Sequence, residues 1–150
     1  MTLDTGRSPK WVPAPERGLA IAEAARYSGV TVDTLRYYER AGLMPTAPSR
    51  TGGGTRRYHD ADLDWIRVIT KLRATGMSIG LIRRYAELVG AGEGNEDERL
   101  ELLESHRADV VAQLETLTEN LRLIDRKIDK YRGRVVEGDA DRLWSIPRDA

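Results

Sequence analysis

Between Leu100 and Tyr131 apolar residues recur at alternating spacings of three and four, and this seam limits the folds open to the chain. Leu100, Arg107, Leu114, Leu121 and Ile128 share one heptad position, and Leu103, Val110, Leu117, Ile124 and Tyr131 share the other. Only Arg107 interrupts the stripe. The pattern predicts one amphipathic helix over about 99–132, roughly 45–50 Å long at 1.5 Å per residue. A lone helix cannot bury such a seam and needs a partner helix. No other segment predicts a helix of comparable length, so the expected partner is the same helix of a second copy. Dimer contacts are therefore expected from Leu100, Leu103, Val110, Leu114 and Leu117, and from Leu121, Ile124, Ile128 and Tyr131. Periodicity leaves a parallel and an antiparallel pair both open.

Upstream the chain changes character. From Ile21 a short Ala-rich helix is predicted to run to Tyr27, with Gly29 as the tight turn. Thr31 is a good N-cap for a second helix that carries Arg36, Tyr37, Tyr38 and Arg40. This is the layout of a helix-turn-helix over 21–40. A helix that enters the major groove needs an apolar inner face, which Val32 and Leu35 can supply, and a polar outer face, here Thr34, Arg36 and Tyr37. Pro45 and Pro48 then force an extended path. The run Arg50-Thr51-Gly52-Gly53-Gly54-Thr55-Arg56-Arg57-Tyr58 reads as a hairpin whose tip needs positive φ angles. Arg50, Arg56 and Arg57 flank that tip, as a wing laid along a phosphate backbone requires.

After the hairpin, Asp60 is placed to cap a helix over about 61–74, with Leu63, Ile66, Ile69 or Thr70, and Leu72 as its apolar stripe. Ser78 opens a further helix over about 78–89, closed by Gly90. The expected organisation is a disordered tail over 1–18, a DNA-binding domain over 19–90 with its wing at 45–58, a polar linker over 91–98, the dimerisation helix over 99–132, and a short tail over 133–150. The fold class is mainly α: a winged helix-turn-helix with a small β-hairpin, followed by a long coiled-coil helix.

Three motifs in this order resemble the MerR family of transcription regulators. They are Thr-Leu-Arg-Tyr-Tyr-Glu-Arg-Ala-Gly-Leu at 34–43, Thr-Arg-Arg-Tyr at 55–58 and Leu-Arg-Ala-Thr-Gly-Met-Ser at 72–78. With the long helix, the likeness extends over about 19–132. It implies that Arg73 meets DNA phosphates and that the dimer helices run antiparallel. Expected DNA contacts are thus Arg26, Thr31, Thr34, Arg36, Tyr37 and Tyr38 from the helix-turn-helix. Arg50, Arg56 and Arg57 from the wing and Arg73 complete the set. The resemblance further implies a homodimer on a pseudo-palindromic promoter site in double-stranded DNA, bent and untwisted so that RNA polymerase can engage it. Such deformation costs on the order of 1–6 kcal/mol.

The formal net charge of +0 hides a segregation. Residues 19–90 hold 11 Lys or Arg against 7 Asp or Glu, whereas 91–150 hold 10 against 15. The basic part carries the DNA-reading motifs. The chain has 0 cysteines, which excludes disulfides and thiolate chemistry. No apolar run reaches the length of a membrane span or a secretory signal core, giving the expectation of a cytoplasmic, nucleoid-associated protein with no membrane partner.

Within the family the region 98–107 is similar to an NmlR-like branch, which carries a lone cysteine before Leu-Arg-x-Thr-Gly-Met. Lys71 stands at that place. Two readings of control follow. One is a small organic effector held non-covalently near Tyr85, Leu88, His106 and Trp144; the other is regulation by protein abundance alone. His59 and His106, far apart and without a ligand cluster, are expected to be capping or surface residues; no metal or other cofactor is expected. An architectural or excisionase-like DNA-binding protein is the alternative, disfavoured by the long helix. Neither a nucleophile–base pair nor a phosphate loop is present to suggest an enzyme.

Overall fold

The computed structural model describes residues 14–137 and Trp144. The described residues form α1 (Ile21–Ser28), α2 (Val32–Arg40), β1 (Ser49–Arg50), β2 (Arg56–Arg57), α3 (Asp60–Ala74), α4 (Ile79–Gly90) and α5 (Glu96–Glu137). The chain divides into two units, 1–103 and 104–150.

In the first unit local chemistry sets the helix ends. Gly29 adopts φ 71° and returns its N–H to Ala25 O, closing α1; only a residue tolerant of the left-handed region turns the chain so sharply. Thr31 Oγ1 accepts from Thr34 N at 3.0 Å and caps α2. Ser78 Oγ accepts from Leu81 N at 3.2 Å and caps α4. At α3 the expectation was one residue off. The N-cap is His59, whose N–H donates to Asp62 Oδ2 at 2.8 Å, while Asp60 lies inside the helix. Asp60 Oδ1 instead accepts from Ala14 N at 2.6 Å. Residues 14–18, expected in the disordered tail, are therefore held on the domain, with Gly18 N bonded to Pro15 O at 2.6 Å. The rest of that tail lies outside the described residues.

α1 packs on α2 and α3, and α3 on α4. Their shared core contains Ala24, Leu35, Leu43, Leu63, Ile66, Ile69, Met77 and Ile82, all at most 2% exposed. Each fully buried large aliphatic contributes about 1.5–3 kcal/mol, and the small Ala24 lets α1 come close. The expected stripe on α3 is the observed one: Leu63, Ile66 and Ile69 point inward, with Leu72 and Thr70 half-buried. Leu102 and Leu103, at the start of α5, pack against this core. Leu103, expected in the dimer seam, is half-buried by this packing.

The hairpin pairs antiparallel with Ser49 opposite Arg57 and Arg50 opposite Arg56. Below it, Leu19 and Tyr58 exchange backbone hydrogen bonds at 2.7 and 2.9 Å, tying the wing to the start of the domain. Of the three tip glycines only Gly54, at φ 83°, needs a positive angle; Thr51 supplies the remaining turn bonds through its N–H, carbonyl and Oγ1.

α5 begins at Glu96, inside the segment expected as linker, and continues to Glu137, past the expected end at 132. The early start has a chemical cause. Glu96 accepts two hydrogen bonds from Gly94 N, at 3.0 and 3.1 Å, and Asp97 and Glu98 add charge suited to a helix N-terminus. Its own backbone N–H first, and then that of Gly94, hold the Glu96 carboxyl below its ordinary pKa. Asn95 Nδ2 and Arg99 Nη2 both donate to Leu88 O, at 2.8 and 3.1 Å, satisfying a carbonyl in the last turn of α4.

In the second unit the heptad residues from Leu114 onward stay uncovered, while Val110 is half-buried. Leu114, Leu117, Leu121 and Ile124 are 53–63% exposed, with Ile128 and Tyr131 just above 40%. His106, expected at the surface, is buried at 7% exposure. Trp144 shares an open groove of about 570 Å³ with Leu123, Ile124, Ile128 and Tyr131. Leu143 and the rest of the C-terminal tail lie outside the described residues.

Candidate nucleic-acid interface

The outer face of α2 is built as a groove-reading helix requires. Arg36 and Tyr37 are exposed, and Arg36 lies 3.9 Å from Asp33, a loose pair one turn back. Thr34 is half-exposed, and its hydroxyl sits 2.9 Å from that of Thr31, so both belong to the helix cap as well as to its reading end. Tyr38 does not belong to this face. It is 6% exposed, with its hydroxyl 3.3 Å from Thr70 Oγ1 on α3. The spacing contains the reason: Tyr38 follows the buried Leu35 by three residues and shares its side of the helix, whereas Tyr37 is turned about 100° away. Tyr38 is a core residue, and its assignment as a DNA contact is corrected.

The wing arginines are not all free. Arg50 Nη2 lies 3.1 Å from Glu39 Oε1, and Arg56 Nε bonds the other oxygen of the same carboxylate. Arg50 Nη1 also donates to Gly54 O at 2.9 Å. Arg57 and Arg26 make no ion pair among the described residues. Behind the wing Tyr58 is 1% exposed; burial, and then the Glu39 charge, push its phenol pKa up. Arg73 is exposed in the last turn of α3, where its Nη1 donates to Met77 O at 3.1 Å and braces the turn into α4.

Sequence reading missed the contacts that fix the segment after α2. Arg83 Nε donates to Ala41 O at 2.7 Å, and Trp65 Nε1 donates to Leu43 O at 2.6 Å. A Cβ on Gly90 would lie 2.5 Å from Pro45 O, so only glycine lets these backbones meet. Three residues of α3 and α4 thereby clamp residues 41–45. No local signal marks Arg83, Trp65 or Gly90 for this role, since each acts across a long sequence separation.

The residues expected around an effector divide differently. Tyr85 stacks on Trp65 with ring centroids 5.2 Å apart, and Leu88 is 5% exposed, both in the first unit. His106 and Trp144 belong to the second. Among the described residues no three His, Asp or Glu side chains converge as a metal-binding group, and no helix is long and apolar enough to cross a membrane.

Family models agree with this architecture. Residues 19–88 match the MerR HTH family regulatory protein, and residues 63–129 match the MerR DNA-binding region. The chain belongs to the MerR family. An uncharacterized HTH-type transcriptional regulator of Haemophilus influenzae is 37% identical over 111 residues, spanning 74% of this chain and 82% of that protein. A putative MerR family regulator from Listeria monocytogenes superposes with TM-score 0.76 at 36% identity, covering 81% of this chain and 91% of that one. The crystal structure of HiNmlR, a MerR family regulator lacking the sensor domain and bound to promoter DNA, superposes with TM-score 0.72 at 33% identity. That match covers 85% of this chain and 98% of HiNmlR. This MerR protein is a DNA-binding transcriptional regulator, and the architectural alternative is not favoured.

Proposed function

We propose that this MerR protein acts as a homodimer, paired antiparallel through α5, that binds a pseudo-palindromic promoter site and distorts it to control transcription by RNA polymerase. The observation that carries the reading is the uncovered heptad seam from Leu114 to Tyr131. A stripe of large apolar side chains repeated over that length is unstable in water, and a second copy of the helix covers it knob into hole. Two copies present two recognition helices and two wings related by a two-fold axis, which is the symmetry a pseudo-palindrome offers. HiNmlR, lacking a sensor domain, is described on promoter DNA, which supports a double-stranded promoter as the ligand of this chain.

Arg26, Arg36, Tyr37, Arg57 and Arg73 are exposed or half-exposed in the first unit and supply the groove and phosphate contacts. Arg50 joins them from the wing. With 0 cysteines, control by an electrophile through a thiol adduct is closed to this chain.

Leu117 and Leu121 lie mid-seam, where an introduced charge cannot escape to solvent. Replacing both by Asp should give monomers by sedimentation and remove tight operator binding. A dimer of undiminished stability in that variant would refute the assignment of the interface.

A further inference from the structure

We infer that Glu39 is a positioning residue for DNA discrimination: it sets the wing against the recognition helix and offsets the wing's charge. The inference rests on the reading of the wing as a DNA-contacting element.

The hairpin alone is weakly determined. Its strands are two residues each, joined by two registered pairs, Ser49 with Arg57 and Arg50 with Arg56. So short a ribbon has little stability of its own. Its ladder also places Arg50 directly opposite Arg56, on one face, where two guanidiniums repel each other. Glu39 resolves both problems. It stands in the last turn of α2, two residues beyond Tyr37, and each of its oxygens takes one of the two arginines. Its side chain is only 18% exposed, so this carboxylate is shielded from water and held in one place. Arg50 extends the tie to the tip through Gly54 O. One carboxylate thus joins the recognition helix, both strands and the tip.

The two arginines are not equivalent. Arg50 is 47% exposed and Arg56 29%. Arg50 can turn outward to a phosphate while Arg56 keeps Glu39 and the wing in register. On a correct site the wing meets the backbone where the helix has placed it. On other DNA a wing without Glu39 would follow whatever phosphates lie near, with one more net positive charge to do so.

The test uses the full chain and two duplexes, the operator found by footprinting and a scrambled one. Glu39→Gln should raise affinity for the scrambled duplex about three- to tenfold at low salt and steepen the salt slope by about one unit. Operator affinity should rise less, so the ratio between the two should fall. Glu39→Asp keeps the charge but is one methylene short of holding both arginines. It should lower the ratio without steepening the slope. Adding Arg50→Ala to Glu39→Gln should remove most of the gain on scrambled DNA.

An equal rise on both duplexes would reduce Glu39 to a generic negative charge and overturn the proposal; so would an unchanged ratio in Glu39→Asp. If Arg50→Ala and Arg57→Ala in the otherwise native chain both left affinity and salt slope untouched, the wing reading itself would have failed. Thermal melting of each variant separates these results from loss of fold.

Discussion

Single side chains divide the DNA-facing surface into groups that read and groups that hold. Arg57 and Arg73 meet the surface without a carboxylate partner among the described residues, so each change to Ala should weaken binding to every sequence and flatten the salt slope by about one unit. Arg73 also braces Met77 O, and Arg73→Lys should keep the slope while softening the turn. Among changes at Thr34, Arg36 and Tyr37 at least one should alter base preference, measured by selection from a randomised duplex pool. A shift in preference from the arginine changes alone would reverse the assignment of helix and wing. Residue chemistry was legible in the sequence where it is local: the Thr31 cap, the Arg-rich flanks of the tip and the exposed Tyr37 follow from neighbours within a few positions. Tyr38 stands among the expected DNA contacts but is buried, and the three-residue step from Leu35 is the local mark that turns it inward. The role of Glu39 was not legible, because its partners lie 11 and 17 residues away on a hairpin whose register no local pattern fixes.

At the level of elements, the helices were readable because caps, glycines and apolar spacing agree about them. Their ends differ from the expected ones by a few residues. His59 and Asp62 form the cap of α3 while Asp60 is engaged by Ala14, and α5 starts at Glu96, whose carboxylate accepts from the Gly94 amide. What sequence could not supply is how α2 is held from behind. The closest approach there is Gly90 against Pro45 O, and Gly90→Ala tests it. Its Cβ would have to push α4 from the loop, costing about 1–3 kcal/mol as an overpacked contact. Urea unfolding should show that loss, and operator affinity should fall by more than non-specific affinity, because the displaced segment is the one that leaves the recognition helix. Gly133→Ala on α5, where a Cβ meets nothing, is the control and should be neutral or mildly stabilising.

For the whole molecule the decisive quantity is how much stability is shared between copies. If the uncovered seam on α5 is the dimer contact, the melting temperature of the native chain should climb with protein concentration across a hundredfold range. In Leu117→Asp with Leu121→Asp it should be lower and independent of concentration; calorimetry at three concentrations is sufficient. The heptad seam was the plainest long-range signal in the sequence, since its period is a property of the helix alone. The partner's direction is not, and here the family likeness is what points to an antiparallel pair. The clamp on residues 41–45 has a mechanical meaning for the proposed complex. Two bodies pressed together share strain in inverse proportion to their stiffness. With Arg83, Trp65 and Gly90 gripping the loop that leaves it, the reading helix is the rigid member. The duplex, whose steps differ in compliance from one sequence to the next, must then do the yielding, and a promoter is chosen as much by how easily it gives as by what its edges display.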